Sequence, residues 1–230
     1  MARTEHLEWF RGRLEASRSH EAGDPQPLLD WRNERNRTAF FEAELIALKD
    51  VRDWSVDDSG NVRHKSGQFF SIEGVRTRAG QREVGGWDQP IFTQPDGGVL
   101  AMIARETSDD GVQFLLQARA EPGNLGPIQL APSLQCTWSN IRRAHQGKAP
   151  PLSELLDAPG VRTIYSAEHN EEGGRFWRKS NANIVLFIEN PMALEGRIEA
   201  YHWASMSQIK ALGLTDNVLS PYVKTVLAPL

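Results

Sequence analysis

Between residues 51 and 118 the chain alternates apolar and polar residues in short, closely spaced segments, which limits this region to a β-sheet. The spacing predicts a hairpin made of Trp54–Val56 and Val62–His64, with Asp-Asp-Ser-Gly-Asn as its turn. Four further strands are predicted in this region, at 68–75, 90–94, 99–106 and 112–118. The last of them places four apolar side chains on one face: Val112, Phe114, Leu116 and Ala118.

Helical spacing precedes this sheet. The first predicted helix covers residues 4–17, with Thr4 as its candidate N-cap and three apolar residues on one side, Leu7, Phe10 and Leu14. Residues 18–37 contain Pro25, Pro27 and many charges, which is typical of a connector. A second helix is predicted where an i, i+4, i+7 stripe starts again, at Phe41, Leu45 and Leu48.

After residue 150 the pattern predicts a short helix at 152–156, strands at 161–169 and 183–189, and a helix at 203–214. The strand at 183–189 is continuously apolar, which indicates an interior position in the sheet. Helices that flank a mixed or antiparallel sheet define an α+β fold. We therefore expect an N-terminal helical segment at 1–50 and one α+β module at 51–230.

The composition is that of a soluble protein with a buried core. Hydrophobic residues make up 40% of the 230 residues and charged residues 24%, so the chain can bury a core. Its length suits one domain with an appendage. No apolar run approaches the roughly 18 residues that cross a bilayer, and residues 1–6 lack the apolar region of a signal peptide. We expect a cytoplasmic protein with no membrane partner.

Charge and motif content narrow the classes of ligand. The chain has 26 basic and 30 acidic residues, so no overall positive field favours nucleic acid. The single Cys136 forms no internal disulfide and cannot hold a structural zinc by itself. The sequence contains no GxGxxG, P-loop, GxSxG, HExxH or CxxC motif. We therefore expect a small molecule or a protein as the partner, and neither a metal nor a redox cofactor.

Residues 112–148 contain the densest set of groups suited to an anion or a sugar. This stretch holds one carboxylate, Glu121, and four cations, Arg119, Arg142, Arg143 and Lys148. Amides that can orient a polyhydroxylated ligand occur in the same stretch, at Asn124, Gln129, Gln135 and Asn140. By residue type alone, outward strand positions and an ordinary Pro-Gly turn explain these residues at least as well.

Three candidates lie outside this stretch. Trp87, with Gln89, stands where a strand begins, so a ring can stack on its indole; the alternative is a core tryptophan. Arg175 lies in the polar run 171–179, whose alternative is a solvated hairpin tip. His64 carries a group that exchanges protons near neutral pH in many sites, although by residue type alone a packed or exposed strand residue is the favoured interpretation.

Five blocks occur in a fixed order. They are His64-Lys-Ser-Gly-Gln-Phe-Phe-Ser-Ile-Glu-Gly74, Trp87-Asp-Gln-Pro-Ile91, Gln117-Ala-Arg-Ala-Glu-Pro-Gly-Asn124, Gln129-Leu-Ala-Pro-Ser-Leu-Gln-Cys-Thr137 with Ser139-Asn140, and Glu171-Glu-Gly-Gly-Arg-Phe176. In this order they resemble the NDP-hexose 2,3-dehydratases of deoxysugar and antibiotic biosynthesis, from about Trp54 to Leu227. Trp138 departs from the arginine or proline of that family.

The resemblance implies a Nudix-like fold without the Nudix metal box, present as two similar modules in one long chain. This chain has length for one module, so we expect a symmetric homodimer. The implied reaction is loss of the C2 hydroxyl from an NDP-4-keto-6-deoxyhexose. A base removes the acidic C3 hydrogen, the C4 oxygen takes up negative charge, and an acid protonates the departing hydroxyl. A downstream ketoreductase is the implied partner, and no metal or redox cofactor is required.

For this reaction the resemblance suggests Glu121 and His64 as base and acid, in either order, with Tyr165 as an alternate proton donor. The remaining candidates would bind substrate: Arg142 or Arg143 with Arg175 at the diphosphate, Trp87 against a ring, and Arg119, Arg175 or Asn140 at the C4 oxyanion. Two alternatives stay open. The module could act on a non-sugar keto compound of a natural-product pathway, or it could bind a ligand without turnover.

Overall fold

The computed structural model describes residues 4, 6–19, 23–81, 83–143, 148–189, 194 and 199–230, and the structural statements below refer to these residues. The helices are α1 Leu7–Ser17, α2 Gln26–Thr38, α3 Trp138–Ile141, α4 Met206–Leu212 and α5 Pro221–Leu227. The strands are β1 Trp54–Val56, β2 Val62–His64, β3 Ser71–Arg78, β4 Gly86–Thr93, β5 Gly98–Thr107, β6 Gly111–Ala120, β7 Ile128–Ala131, β8 Leu134–Thr137, β9 Val161–Asn170, β10 Ser180–Ile188 and β11 Tyr201–Ser205. None of the described helices is long and apolar enough to span a membrane.

The strands form two sheets. A seven-stranded mixed sheet has the order β11-β6-β5-β10-β9, with β7 paired to β6 and β8 paired to β5. Strand β10 runs parallel to β5 and antiparallel to β9, which confirms its predicted interior position. The other sheet is antiparallel and has the order β1-β2-β3-β4. Together with the helices, these sheets confirm the predicted α+β class; the Nudix-like assignment stays a prediction.

The mixed sheet has an apolar core on each face. On one face, Met102, Phe114 and Leu116 pack with residues of α1, α2, α4 and α5. On the other face, Ile103 and Leu115 pack with the segment around Leu152 and Leu155, among others. Successive strand residues point to opposite faces, so the alternation predicted for 112–118 is confirmed. The short helix predicted at 152–156 is a single 3-10 turn at Ser153–Leu156.

The N-terminal region departs from its prediction. Helix α1 begins at Leu7 rather than Thr4, and no side chain caps it. The predicted connector contains helix α2, which buries Leu28 completely. Pro27 falls in the first turn of α2, where the missing N–H of proline leaves no intrahelical bond unmade. The prolines therefore mark the start of a helix and not a linker.

The helix predicted on the stripe of Phe41, Leu45 and Leu48 is wrong. Residues 39–47 have no regular secondary structure, and one 3-10 turn follows at Leu48–Asp50. Phe40 is 95% exposed, and Leu45 is fully exposed. An amphipathic stripe stabilises a short helix when a packing surface covers it; in this stripe Phe41 is partly buried, whereas Leu45 and Leu48 are exposed.

The helix predicted at 203–214 is partly wrong. Its first residues belong to β11, which pairs antiparallel with β6 and places Tyr201 opposite Gln117. Helix α4 starts only after Ser205, whose hydroxyl accepts from the Gln208 N–H at 3.0 Å. In return, the Ser205 N–H donates to Gln208 Oε1, also at 3.0 Å, which completes a capping box.

Candidate functional site

The mixed sheet opens between β5 and β6. These strands pair near their hairpin, from Ala104–Phe114 to Thr107–Gly111, whereas β7 and β8 pair with the rest of β6 and β5. Ser133 lies buried between β7 and β8: its hydroxyl accepts from the Ile103 N–H at 2.8 Å and donates to the Leu115 carbonyl at 2.5 Å. The side chain thus satisfies two backbone groups where the strands separate. The opening brings the end of β6 close to β8.

Glu121 follows β6 at this opening. Its Oε1 accepts from Arg119 Nε at 2.8 Å and from Gln135 Nε2 at 3.1 Å. Arg119 pairs across strands with Gln129. The side chain of Glu121 is 37% exposed, so the carboxylate has access to solvent. The structure therefore brings together four residues that the sequence predicted for one site.

Two buried amide oxygens lack a hydrogen-bond donor, and one of them belongs to Gln135, which contacts this carboxylate. Among the residues that the structure describes, Gln135 Oε1 and Asn183 Oδ1 are the buried side-chain oxygens in this condition. Gln135 and Asn183 both lie directly opposite Leu100 of β5, on its two sides. They therefore share one sheet face, about 10 Å apart at the backbone. A buried acceptor without a donor costs about 1–3 kcal/mol, so the position suits a water molecule or a ligand hydroxyl.

A buried carboxylate, Glu171, lies at the end of β9. It accepts from the Tyr222 hydroxyl at 2.5 Å and from Asn181 Nδ2 at 2.5 Å, and its Oε2 lies 3.3 Å from Lys179 Nζ. Burial alone raises the pKa of Glu171, but these hydrogen bonds and the Lys179 charge outweigh burial and lower the pKa below its ordinary value. Glu171 therefore stays ionised and ties the loop 171–179 to α5.

Two further ionisable groups near the opening stay neutral at pH 7. Burial raises the pKa of the Cys136 thiol to about 11, although the Arg119 charge opposes this shift. Burial also raises the pKa of Tyr201 to about 12, again against Arg119. A neutral thiol is a poor nucleophile, so Cys136 is not an activated cysteine.

Gly98 allows the start of β10 to come close to β5. A Cβ atom on Gly98 would lie 2.4 Å from Asn181 Oδ1 and 3.2 Å from the Cys136 carbonyl. No ordinary side chain fits at that distance. The glycine therefore leaves room for the Asn181 amide, which in turn binds Glu171.

Several predicted residues lie in or near the four-stranded sheet instead. Trp87 Nε1 donates to Gln89 Oε1 at 2.7 Å, and Gln89 Nε2 donates to the Gly174 carbonyl at 2.8 Å. The exposed Arg175 follows Gly174, and its carbonyl accepts from the Phe92 N–H at 2.8 Å. Trp87, Gln89 and Arg175 are thus close to one another. The same sheet face has an open groove of 360 Å³ beside Ile91 and Trp177.

His64 lies at the end of β2 among aromatic rings. Its ring centroid is 4.5 Å from that of Phe69 and 5.6 Å from that of Trp54. Its Nδ1 lies 2.7 Å from the Ser66 hydroxyl. The structure gives His64 no described contact with Glu121 or Tyr165.

Tyr165 is buried in β9, and its hydroxyl lies 2.9 Å from His169 Nε2. Burial raises the pKa of this phenol. Tyr165 and His169 flank Ala167, which lies directly opposite Asn183. Tyr165 and His169 therefore lie on β9, next to Asn183 of the neighbouring strand β10.

The remaining predicted residues are placed as follows. Arg142 forms an exposed ion pair with Asp96 at 2.9 Å. Arg143 and Asn140 are exposed beside it at the end of α3. Asn124 has a structural role, because its Nδ2 donates to the carbonyls of Arg119 and Pro127 across the loop after β6.

The sequence analysis did not select Asn183, Glu171 or Tyr222. The sequence does contain a signal for Asn183, because Asn181 and Asn183 occupy alternate positions at the start of a strand that is otherwise apolar. A polar side chain on a buried strand needs a hydrogen-bond partner, so such a residue indicates a polar site. Glu171 and Tyr222 form a hydrogen bond although they are 51 positions apart in the sequence, so no local pattern links them.

The comparisons with known proteins agree on one family. The family model described as NDP-hexose 2,3-dehydratase matches residues 25–230. A dTDP-4-dehydro-6-deoxy-alpha-D-glucopyranose 2,3-dehydratase of Streptomyces violaceoruber is 36% identical over 204 residues, which cover 87% of this chain and 45% of the relative. Proteins of the same name from Amycolatopsis orientalis and Saccharopolyspora spinosa are 34% and 31% identical over 86% of this chain, and the matches cover 43% and 40% of them.

The chain thus spans less than half the length of the relatives that it matches. The family model nevertheless includes every element from α2 to α5, and with them both sheets and the loop 171–179. The chain belongs to the NDP-hexose 2,3-dehydratase family.

Proposed function

We propose that this chain eliminates the C2 hydroxyl from an NDP-4-keto-6-deoxyhexose at the opening between β5 and β6. The observation that carries the proposal is the pair of donor-free acceptors on one sheet face, Gln135 Oε1 and Asn183 Oδ1, of which Gln135 also donates to the Glu121 carboxylate. Sugar hydroxyls are the donors that such oxygens need. The relatives act on a sugar nucleotide by name, and family membership makes this substrate class our choice.

Glu121 is our candidate for the base that removes the C3 hydrogen. The C4 ketone acidifies this hydrogen, and Arg119 beside Glu121 supplies a cation for the charge that develops on the C4 oxygen. Tyr165, hydrogen-bonded to His169, is our candidate for the donor that protonates the departing C2 hydroxyl. The step is redox-neutral: the C3–H and C2–O bonds break, a C2=C3 double bond forms, and one water leaves.

We place the nucleotide on the four-stranded sheet. Trp87 offers a ring for stacking, and Arg175 next to it offers a cation for the diphosphate. The loop 171–179 supports this arrangement, because Glu171 at its start follows β9 of the mixed sheet, whereas the Arg175 carbonyl bonds to Phe92 of the four-stranded sheet. His64 stays a candidate acid or base, and Arg142 and Arg143 stay candidates for a diphosphate that reaches α3.

The test is conversion of a dTDP-4-keto-6-deoxyhexose by the full chain, with the dione trapped by a ketoreductase or a chemical reagent and water loss followed by mass spectrometry. Glu121→Gln should lower turnover by about 100-fold or more, because an amide cannot accept the C3 proton. Glu168→Gln is the matched control, since Glu168 is exposed and belongs to the opposite face of β9.

A normal rate with Glu121→Gln would remove Glu121 from the mechanism. Binding of the sugar nucleotide without loss of water would favour the non-catalytic alternative. Failure to bind any nucleotide would favour a non-sugar keto substrate. The homodimer, the ketoreductase partner and the cytoplasmic location stay predictions from the sequence, and sedimentation of the full chain tests the first of them.

A further inference from the structure

Tyr222 of α5 lies beside the opening between β5 and β6. Helix α5 begins next to β7, because the Ser220 N–H donates to the Leu130 carbonyl at 2.9 Å. The Tyr222 hydroxyl reaches Glu171, which follows β9, and donates to its Oε1 at 2.5 Å. The side chain therefore extends from the β7 side of the opening toward the end of β9. It is partly exposed, so a ligand in the opening can contact it.

Tyr222 lies over the same sheet face as the two amide oxygens that lack a donor. Its ring packs against the core cluster that contains Leu100. Gln135 and Asn183 both lie directly opposite Leu100, and residues paired in this way point to one face of a sheet. The phenol and both amides are thus on one side of the mixed sheet.

The phenol oxygen of Tyr222 can only accept a hydrogen bond from a ligand. A phenol has one hydrogen, and an ionised carboxylate is an acceptor only, so the bond to Glu171 uses that hydrogen. Within the described part of the chain, no group donates to the phenol oxygen. Donation to a carboxylate also polarises the phenol and strengthens its oxygen as an acceptor. Tyr222 therefore presents a strong acceptor to the opening.

The Tyr222 hydroxyl is also near Glu121. Burial raises the pKa of Tyr222, the hydrogen bond to Glu171 raises it further, and the charges of Glu171, Glu121 and Glu172 act in the same direction. Interactions between charges are largely screened beyond about 10 Å in salt, so Glu121 lies within a short distance of this hydroxyl. A ligand carbon that reaches Glu121 therefore brings its other substituents close to Tyr222.

We propose that Tyr222 accepts a hydrogen bond from the C3 hydroxyl of the sugar and thereby makes the site specific for sugars that carry this hydroxyl. The inference rests on the proposed function, in which Glu121 removes the hydrogen from C3. The same carbon carries a hydroxyl, and a hydroxyl is the donor that the phenol oxygen needs. A sugar without it leaves this oxygen without a donor, so the site should bind that sugar less tightly.

The test is calorimetric titration of the full chain with two ligands that cannot lose water from C2. One is a dTDP-4-keto-2,6-dideoxyhexose, which keeps the C3 hydroxyl, and the other is its 2,3,6-trideoxy counterpart, which lacks it. The unsubstituted chain should bind the first ligand about tenfold more tightly or better. In Tyr222→Phe, which keeps the ring but has no acceptor, the two dissociation constants should agree within about twofold.

Tyr201→Phe is the matched control. Tyr201 packs in the core on the opposite face of the mixed sheet, so the loss of its hydroxyl should leave the preference unchanged. Melting curves of both variants confirm that they are folded.

Two results would overturn the inference alone. One is equal affinity of the unsubstituted chain for the two ligands, and the other is a Tyr222→Phe variant that keeps the full preference. In both cases the proposed function stands if the unsubstituted chain removes water from the 4-keto substrate. Binding of neither ligand would overturn the proposed substrate class and this inference with it.

Discussion

At the scale of single residues, Glu171 is the clearest source of pH dependence. Its pKa is lower in the folded chain than its ordinary value, because Tyr222, Asn181 and Lys179 together outweigh the effect of burial. A lowered folded pKa contributes stability that is present in full above the unfolded value of about 4.3 and is lost as pH falls through the folded value. The stabilising effect of Glu171 should therefore disappear in acid.

Glu171→Gln should lower the free energy of unfolding at pH 7 by about 3 kcal/mol or more, since it leaves the buried Lys179 without its partner. The variant should also lose less stability than the original chain between pH 7 and acid. Urea unfolding at several pH values measures both effects. Tyr222→Phe, which removes one hydrogen bond, should cost about 1 kcal/mol. Equal acid sensitivity of Glu171→Gln and the original chain would contradict this account.

We expect Asn183 to lower the stability of the folded chain while it contributes to binding of the sugar nucleotide. Asn183→Leu removes the acceptor that lacks a donor, at the cost of the bond from Asn183 Nδ2 to the Asn181 carbonyl. We expect the free energy of unfolding to rise by about 1 kcal/mol and turnover of the sugar nucleotide to fall about tenfold or more. Equilibrium unfolding and the water-loss assay test the two halves separately. A less stable variant would indicate that a bound water already satisfies Asn183.

The sequence could predict residues that lie near one another along the chain. Arg119, Glu121, Gln129 and Gln135 fall within 17 positions, and the turn after β6 brings them together. Asn183 and Tyr222 reach the same region through the parallel pairing of β10 with β5 and through the packing of α5. Such pairings depend on contacts between distant parts of the chain, which one sequence does not specify.

At the scale of elements, α1 is part of the main core. The ring of Phe10 is completely buried, with its centroid 6.1 Å from that of Phe114 and 5.9 Å from that of Phe187. Phe10→Ala should therefore lower the free energy of unfolding by about 3–5 kcal/mol in one cooperative transition. The exposed Glu8→Ala is the control and should change it by less than about 0.5 kcal/mol. Two separate transitions would favour an independent segment at 1–50.

Strands were easier to predict than helices for a physical reason. Period-two alternation and a continuously apolar run are local signals, and they located β1, β2, β5, β6, β9 and β10. The stripe at 41–48 is also local, but a helix of that length needs a surface to pack on. Ser205 illustrates the opposite case: Ser-x-x-Gln is a capping signal that marks the true start of α4.

At the scale of the whole molecule, the two sheets meet through the loop 171–179. Phe92 of β4 contacts Phe176 of this loop with ring centroids 5.5 Å apart, and Phe92 and Trp177 share a backbone hydrogen bond of 2.8 Å. Glu171 at the start of the loop is bound to α5. The buried Glu171 therefore fixes the loop that joins the two sheets. A ligand that contacts both sheets would lie across this loop.

The most direct test is a crystal structure of the full chain with a sugar nucleotide that lacks the C2 hydroxyl and cannot eliminate. The account predicts that C3 of the sugar lies within about 3.5 Å of a Glu121 carboxylate oxygen and that Gln135 Oε1 or Asn183 Oδ1 accepts from a sugar hydroxyl. A sugar bound outside the opening between β5 and β6, with both amide oxygens still without a donor, would contradict it.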